Sequence, residues 1–382
     1  MTTAQNRTRA AIATSAAIAL AMGVAACGGS SSTSSSTSSG GSSTTSGGGS
    51  AGAGTSGDIK IGAALIGPKN DKSFNQAAYE GIVAATKANP RLKLTSTLEN
   101  RATDQTRTDA VETLAPINKV VAAVSASFGP VLDVEAVKFP NTYFINIAGF
   151  TQKFHKNVTG FANDWGAPAY VGGVLAAKHS KSGIVGYVGG AEIPPTIHGQ
   201  NGFEAGAKSV NPKIKVLKNI VGDFNDVAKA KAATAAMISN GADVIFPFLD
   251  AGIAGSYQAG KESGKNPAMF KLTVPDCGAY SNIIGTEVVN NFVATSKMLE
   301  AYAAGTLQPG AIFLDLQDPQ LQTLKLCPKY AKDPVLSKAT AQTIADVNSG
   351  KVKLPANAIN ARPSYPYKEG LNGKTINPGS GG

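Results

Sequence analysis

Cysteine and histidine, the side chains that most often hold catalytic metals, are scarce in this chain of 382 residues, with three of each. No histidine lies at metal-ligand spacing from another histidine or from a cysteine. The sequence also lacks a G-x-S-x-G elbow between a predicted strand and helix, a P-loop, and a G-x-G-x-x-G segment after its first predicted strand. It therefore predicts no metal site, no cofactor and no enzyme activity.

Charged residues make up only 16% of the chain, which carries a formal net charge of +10 at pH 7. Its lysines are scattered singly, without an arginine-rich cluster or a basic stripe interleaved with aromatic residues. Proteins that bind nucleic acid concentrate basic residues on one face. The pattern instead indicates a solvated basic surface and no nucleic-acid partner.

Long apolar runs are absent except near the amino terminus. There, an alanine-rich apolar stretch over residues 10–22 follows Arg7 and Arg9. The stretch is shorter than the roughly 20 residues that span a bilayer, and its layout is typical of a secretory signal. The sequence therefore predicts a signal peptide over residues 1–26.

A cysteine follows this predicted signal peptide directly. The small residues before Cys27 resemble a bacterial lipobox, which implies that the Cys27 thiol is diacylated; an ordinary signal peptide with a chance cysteine is the alternative. Residues 28–57 are almost wholly Ser, Gly, Thr and Ala, a composition that cannot bury enough apolar surface to order itself. We therefore predict a lipidated, flexible tether over residues 27–57 that anchors the protein to the extracytoplasmic face of the cell membrane.

The remaining chain, from Asp58, alternates short apolar runs with stretches of helical spacing, and a second such series begins near Asp164. Near-continuous apolar strands that alternate with helices indicate parallel sheets covered on both faces. The pattern predicts two doubly wound α/β lobes with a ligand cleft between the carboxyl ends of their strands. The predicted parts are an N-terminal lobe over residues 58–163 completed by part of 291–355, a C-terminal lobe over 164–290, and a loosely ordered tail over 356–382.

Two cysteines lie in this body of the chain, Cys277 and Cys327. In an oxidising compartment outside the cytoplasm, such a pair can form a disulfide. Two unpaired buried thiols are the alternative, and the sequence alone leaves both open.

Polar residues cluster directly after the first predicted strand. Asp71 or Ser73 can cap the next helix, whose free N–H groups attract polar atoms. Phe74 offers an aromatic face and Asn75 offers an amide with both donors and acceptors, a combination that a planar ring-containing ligand requires. A capped helix with Phe74 in the core is the alternative.

The segment over residues 71–76, Asp-Lys-Ser-Phe-Asn-Gln, resembles the opening motif of the basic membrane protein family. The resemblance runs from about Ile59 to Gly305, and the motifs together are far more specific than any one of them. Its further parts are residues 172–177, 183–190, 193–194, 202–212, 223–226 and 242–246.

This resemblance implies the type I periplasmic-binding fold and the function of a lipoprotein that delivers a small ligand to the permease and ATPase subunits of an ABC importer. The implied ligand is a polar ring compound, a nucleoside or purine-like molecule. A sugar, an amino acid or another solute remains an alternative ligand, and a ligand sensor for a membrane receptor remains an alternative function. We expect a monomer that reaches the membrane through its N-terminal lipid.

Three residues match the family's site. Phe74 and Asn75 match its stacking aromatic and base-reading amide, and Asp276 falls where the family binds ribose hydroxyls. Several departures leave the identity of the ligand open. Ala148 and Gly278 stand where aspartates are expected, Gly199 stands where a second stacking phenylalanine is expected, and Lys297 is displaced from the expected lysine.

Two residues outside the family's motifs complete the candidate site. Trp165, the only tryptophan, follows the predicted lobe crossing and is either an aromatic wall of the cleft or a core or hinge residue. Asp250 follows a predicted strand at the expected edge of the cleft, where a surface turn is the alternative. The predicted ligand-binding set is therefore Asp71, Ser73, Phe74, Asn75, Trp165, Asp250 and Asp276.

Overall fold

The alternation of strands and helices builds two parallel-dominated β-sheets in the computed structural model of the chain. The structure describes residues 57–71 and 73–378. The predicted signal peptide, Cys27 and nearly all of the predicted tether lie outside these residues. No helix in the described part of the chain is long and apolar enough to span a membrane.

Apolar runs, many of them rich in β-branched residues, form the strands, as their propensity predicts. Several strands, such as those that begin at Val120 and Tyr143, are buried along their whole length because helices cover both faces of the sheet. In chain order the described strands are β1 (Ile59–Leu65), β2 (Leu92–Leu98), β3 (Val120–Val124), β4 (Tyr143–Ile147), β5 (Val158–Asn163), β6 (Ile184–Gly189), β7 (Lys215–Ile220), β8 (Val244–Phe248), β9 (Ala268–Thr273), β10 (Ile283–Val289), β11 (Gly310–Leu314), β12 (Gln322–Leu326), β13 (Tyr367–Glu369) and β14 (Thr375–Ile376).

Capping side chains begin several of the helices. Asp226, Asn290 and Asp333 each accept a hydrogen bond from an amide in the first turn that follows, which satisfies donors that the helix leaves free. The described α-helices are α1 (Phe74–Ala88), α2 (Asp104–Leu114), α3 (Gly129–Lys138), α4 (Gly166–His179), α5 (Pro194–Val210), α6 (Val227–Ser239), α7 (Ile253–Glu262), α8 (Asn291–Ala303), α9 (Pro328–Ala331) and α10 (Pro334–Asn348).

The first sheet belongs to the N-terminal lobe and has the strand order β14-β13-β11-β5-β4-β3-β1-β2. Its strands pair in parallel except for β13 with β14. The chain winds outward in one direction from β1 to β2 and in the other from β3 to β5, so the strand order reverses between β1 and β3. In open α/β sheets ligands bind at such a reversal, at the carboxyl ends of the strands.

The second sheet belongs to the C-terminal lobe and has the order β12-β10-β9-β8-β6-β7. All of its pairings are parallel except for β10 with β12. Here the strand order reverses between β6 and β8. The loops after these two strands are therefore the corresponding place for a ligand in this lobe.

Elements after residue 290 are divided between the two lobes. Helix α8 packs against α1, and β11 lies between β5 and β13 in the first sheet. In contrast, β12 lies at the edge of the second sheet, and α10 packs against α4. The part of 291–355 that joins the N-terminal lobe is therefore α8 with β11.

The expectation of a loosely ordered tail over residues 356–382 is corrected for its described part. Strand β13 pairs in parallel with β11, and β14 pairs with β13. The ring of Tyr367 packs edge-on against Phe313, with centroids 5.9 Å apart. The segment is short and rich in Pro and Gly, but β11 presents an unpaired edge that a few extended residues can join.

The structure joins Cys277 and Cys327 in a disulfide whose Cα atoms are 5.7 Å apart. Cys277 lies in the loop between β9 and β10, and Cys327 follows β12 directly. The bond therefore holds the loop that contains Asp276 against the start of α9.

Candidate ligand-binding site

Strained backbone collects at the carboxyl ends of the strands. Among the described residues, five non-glycine residues have positive φ, and four of them end or follow strands at this edge. They are Asn100 (61°), Ser125 (131°), Ala148 (58°) and Thr273 (64°). Because such conformations cost energy for residues with a β-carbon, they persist where the surrounding structure imposes them, and they cluster at functional sites. This edge of both lobes is the candidate site.

Asp71 organises the loop between β1 and α1. Its Oδ1 accepts hydrogen bonds from the amides of Ser73 and Gln76, at 2.9 and 3.0 Å. Its Oδ2 accepts from the amide and from Nδ2 of Asn75, at 2.9 and 2.8 Å. The predicted helix cap is therefore Asp71 rather than Ser73, and four donors already occupy its carboxylate.

Asn75 and Phe74 are anchored to the same lobe. The Oδ1 of Asn75 accepts a hydrogen bond from the amide of Gly67 at 3.2 Å, which ties the start of α1 to the end of β1. The half-buried ring of Phe74 packs against the core of the N-terminal lobe. Both residues stay predicted ligand contacts, and both also hold the loop in its shape.

Ser73 and Asp250 connect the two lobes. The Ser73 hydroxyl donates a hydrogen bond to Oδ1 of Asp250 at 2.5 Å, between residues that are 177 positions apart in the chain. Ser73 lies in the loop after β1 and Asp250 in the loop after β8, so each is at the point where its sheet's strand order reverses. The lobes are therefore in contact at the predicted cleft edge.

The electrostatic environment of Asp250 is unusual for a surface turn. Burial raises the pKa of its carboxyl to about 6, against an ordinary 3.8. The Ser73 hydrogen bond and Lys271 oppose this rise in pKa, whereas Asp71 adds to it. A carboxylate held at a lobe boundary without a tightly paired cation is a candidate for ligand contact.

Lys271, on β9, is a further candidate site residue. Burial lowers the pKa of its ammonium group, while the nearby carboxylates of Asp276 and Asp250 raise it. Asp276 is exposed in the loop after β9, where its Oδ1 accepts a hydrogen bond from the amide of Gly278 at 3.0 Å. The sequence feature that indicates Lys271 is that it is the one charged residue inside a largely apolar strand.

Aromatic rings of the C-terminal lobe stand close to Asp250. Phe248 ends β8, and its ring lies 5.1 Å from that of Trp165, edge to face, and 6.4 Å from that of Phe224. The amide of Asp250 donates to the Phe224 carbonyl at 3.0 Å. Trp165 is only 7% exposed and belongs to the core of this lobe. The sequence pattern alone does not indicate Phe224 and Phe248 as site residues, because an aromatic residue at or after a strand end is also typical of a core.

Gly199, where a second stacking ring was expected, has no room for one. A β-carbon there would lie 2.5 Å from the Tyr187 hydroxyl and 3.4 Å from the Phe248 ring. These two rings thus fill the space beside Gly199. Of the other departures, Ala148 follows β4 with positive φ, and Lys297 is half-buried on α8.

A surface cavity of about 480 Å³ lies elsewhere, at the amino-terminal edge of the first sheet. Its lining includes Lys60, Lys119, Lys138 and Phe139. Helices α2 and α3 end at this edge, and lysines at helix carboxyl ends complement the negative end of the helix dipole. We therefore assign no ligand to this cavity.

Comparison with known protein families shows which family the chain belongs to. Residues 59–360 match the family described as ABC transporter substrate-binding protein PnrA-like, or Bmp. The chain belongs to this family. The match confirms the resemblance found in the sequence motifs, and the family is one of transporter binding proteins rather than enzymes.

Relatives within the Bmp family carry binding functions in their names. The chain is 33% identical over 226 residues to an ABC transporter nucleoside-binding protein, BmpA, of Lactococcus lactis, covering 56% of this chain and 64% of the relative. It is 32% identical over 196 residues to a purine-binding protein of Brucella abortus, covering 50% and 55%. The chain thus spans less than two thirds of the length of these relatives.

Solved structures confirm the predicted fold class. An ABC transporter solute-binding protein of Aeropyrum pernix superposes with a TM-score of 0.68 at 17% identity, covering 78% of this chain and 94% of that one. One from Conexibacter woesei gives 0.61 at 23% identity, covering 79% and 100%. This Bmp family chain therefore has the type I periplasmic-binding fold.

Proposed function

We propose that this chain is the solute-binding lipoprotein of an ABC importer and that it captures a nucleoside or purine-like compound between its lobes. The observation that supports this most directly is the Ser73–Asp250 hydrogen bond of 2.5 Å. It joins the two loops, one from each lobe, that lie where the strand order of each sheet reverses. The names of the two relatives support the ligand class.

In the proposed complex the N-terminal lobe supplies the face of Phe74 for stacking on a planar ring. Asn75 offers its remaining amide hydrogen to the ring edge, while Asp71 holds the loop still. Loop residues that are fixed before binding lose little entropy on binding, so this arrangement favours affinity.

The C-terminal lobe supplies acceptors for the ligand's hydroxyl and N–H groups. Asp250 and Asp276 are the proposed acceptors, and Lys271, whose ammonium group interacts with both carboxylates, limits their mutual repulsion. Phe224 takes the place of the aromatic ring that Gly199 lacks, and the buried rings of Phe248 and Trp165 support it from the core. Closure of the lobes then excludes water and strengthens each of these bonds.

The proposal extends to the parts outside the described residues. The Cys27 thiol carries the lipid that holds the protein on the outer face of the membrane, and the tether lets the body reach permease and ATPase complexes as a monomer. Labelling with a radioactive fatty acid tests this: a Cys27→Ser variant is expected to remain unlabelled and to leave the membrane fraction.

A thermal-shift screen across nucleosides, free purines, sugars and amino acids tests the ligand class. A compound at 100 times its Kd adds roughly 2.7 kcal/mol of stability. We expect nucleosides or purines to raise the melting temperature and the other classes to leave it unchanged. A shift produced by sugars or amino acids alone would contradict the proposed ligand class.

Phe74→Ala is expected to weaken binding of the nucleoside found in that screen at least tenfold, which corresponds to about 1.4 kcal/mol, because the stacking surface is lost. Isothermal titration calorimetry measures the effect. Phe139→Ala is the matched control, since Phe139 lines the cavity at the opposite edge of the sheet. Equal losses of affinity in both variants would indicate a general defect and would count against the site.

A further inference from the structure

The chain passes between the lobes four times within the described residues. The first three passages follow β5, β10 and β11. The fourth leads from α10, which packs in the C-terminal lobe, to β13 in the first sheet. The family match ends at residue 360, within this last passage. We call residues 356–369 the C-terminal strap.

The strap begins against the C-terminal lobe. The Asn201 side chain of α5 donates a hydrogen bond to the Asn357 carbonyl at 2.9 Å. The carbonyl oxygen of Ala358 lies so close to Gly166 of α4 that a β-carbon there would be 1.8 Å away. The strap therefore contacts both α4 and α5 of the C-terminal lobe.

The strap next reaches the first passage itself, at Asn163 and Asp164. The Asp164 side chain is only 4% exposed. Its Oδ1 accepts from the amide and side chain of Asn360 at 3.0 and 2.9 Å, and its Oδ2 accepts from Nη2 of Arg362 at 2.7 Å. Asn360 also donates to the Asn163 carbonyl at 3.0 Å. Strap donors thus surround a buried carboxylate at the lobe boundary.

Arg362 connects this carboxylate to the N-terminal lobe. It pairs with Glu369 of β13 through bonds of 2.7 and 2.9 Å. Its guanidinium group also lies 3.9 Å from the centre of the Phe313 ring on β11. Because these contacts hold the guanidinium from three sides, the position of Arg362 is tied to the first sheet.

Asp164 is also one residue from the aromatic group of the candidate site. Trp165 follows it, and the Trp165 ring packs on Phe248, which is two residues before Asp250. The amide of Asp164 donates to the Leu314 carbonyl of β11 at 2.8 Å, so the first sheet holds Asp164 and the chain enters the C-terminal lobe at Trp165.

We propose that Arg362 is a positioning residue for ligand capture, which stabilises the closed arrangement of the lobes by fixing the strap to Asp164 and the first sheet while the strap also contacts α4 and α5. This rests on the proposed function, in which the ligand lies between the lobes. The strap bonds and the Ser73–Asp250 contact occur in the same arrangement, so the strap favours the state in which the lobes touch. Opening must draw the strap away from α4 and α5 or pull it off Asp164, because the strap contacts the C-terminal lobe at Asn357 and Ala358 and the first sheet through Arg362.

The test compares wild type with Arg362→Met. In small-angle X-ray scattering of the ligand-free proteins, the variant is expected to have the larger radius of gyration. In stopped-flow experiments with adenosine, read through the single tryptophan, dissociation is expected to be about tenfold faster while association changes less than twofold. Lys218→Met is the matched control, because it removes a surface ion pair with Glu204 on the C-terminal lobe, and it is expected to match wild type in both.

Arg362→Met leaves a buried carboxylate unpaired, which can prevent folding. The double variant Asp164→Asn with Arg362→Met removes both charges and is expected to fold and to show the same expanded scattering. Scattering identical to wild type in the double variant overturns the strap proposal. Failure of wild type to bind any nucleoside or purine instead overturns the proposed ligand class and leaves the scattering result valid for the strap.

Discussion

Asp250→Asn is expected to stabilise the ligand-free protein at pH 7.5 by about 2 kcal/mol and to weaken ligand binding about thirtyfold. The stabilisation follows from the environment of the carboxyl, whose pKa burial raises to about 6 from 3.8. At pH 7.5 the group is ionised in both the folded and unfolded states, so folding has to desolvate a charge. The neutral amide avoids that cost and still accepts the Ser73 hydrogen bond.

The sign of the pH dependence follows from the same pKa values. Below pH 3.8 the Asp250 carboxyl is protonated in both the folded and unfolded states, so folding desolvates no charge. The free-energy cost of desolvating the carboxylate grows between pH 3.8 and 6 and is constant above pH 6. Wild type therefore gains stability relative to Asp250→Asn as pH falls from 7 to 4. Thermal unfolding of both proteins across this range measures the difference, which is expected to shrink toward zero at the acidic end.

The loss of binding has a separate cause. A ligand hydroxyl or N–H bonds more strongly to a carboxylate than to an amide oxygen. Asp276→Asn is the matched control, since Asp276 is a proposed ligand acceptor whose side chain is exposed. It is expected to weaken binding with little effect on stability. If Asp250→Asn proves less stable than wild type at pH 7.5, the carboxylate is not the desolvated charge described here.

Gly206→Val is expected to destabilise the C-terminal lobe by about 4 kcal/mol or more, enough to prevent accumulation of folded protein. Helices α4 and α5 meet backbone to backbone. A β-carbon at Gly206 would lie 2.0 Å from the Tyr170 carbonyl oxygen, and one at Gly173 would lie 2.0 Å from that of Phe203. The neighbouring atoms belong to the backbone, so a valine there must push the helices apart.

Urea unfolding and yield of soluble protein measure this effect. Ser209→Val places the same side chain at an exposed position of the same helix, and it is expected to change stability by less than about 0.5 kcal/mol. Because α4 begins directly after Asp164 and Trp165, any folded Gly206→Val protein is also expected to show altered tryptophan emission. Normal stability in this variant would mean that α4 and α5 do not pack at this distance.

Local patterns predicted most strands and helices of both lobes. Strand β1 and helix α1 were recognised because apolar periodicity and capping residues extend over only a few positions. Strands β5 and β10 to β14 were not recognised. The segment Val158–Asn163 contains Thr, Gly and Asn, and it becomes a strand because β4 and β11 pair with it on either side.

The candidate site divides in the same way. Asp71, Ser73, Phe74 and Asn75 lie in one local motif, so the sequence brought them together. The sequence did not predict which hydrogen bonds each side chain makes, because Asp71 and Asn75 bond to loop amides whose positions depend on the fold. Lys271 and Phe224 belong to the site only through the packing of the C-terminal lobe.

By itself the sequence determined two α/β lobes, the family and the motif that follows the first strand. Each of these depends on neighbouring residues, whose spacing is the same in the unfolded chain and in the folded one. Tertiary structure alone decided the contact of Ser73 with Asp250, the Cys277–Cys327 disulfide, and the return of the tail to the first sheet. These join residues 50 or more positions apart, and such pairs are selected by the packing of whole sheets and helices rather than by local propensity.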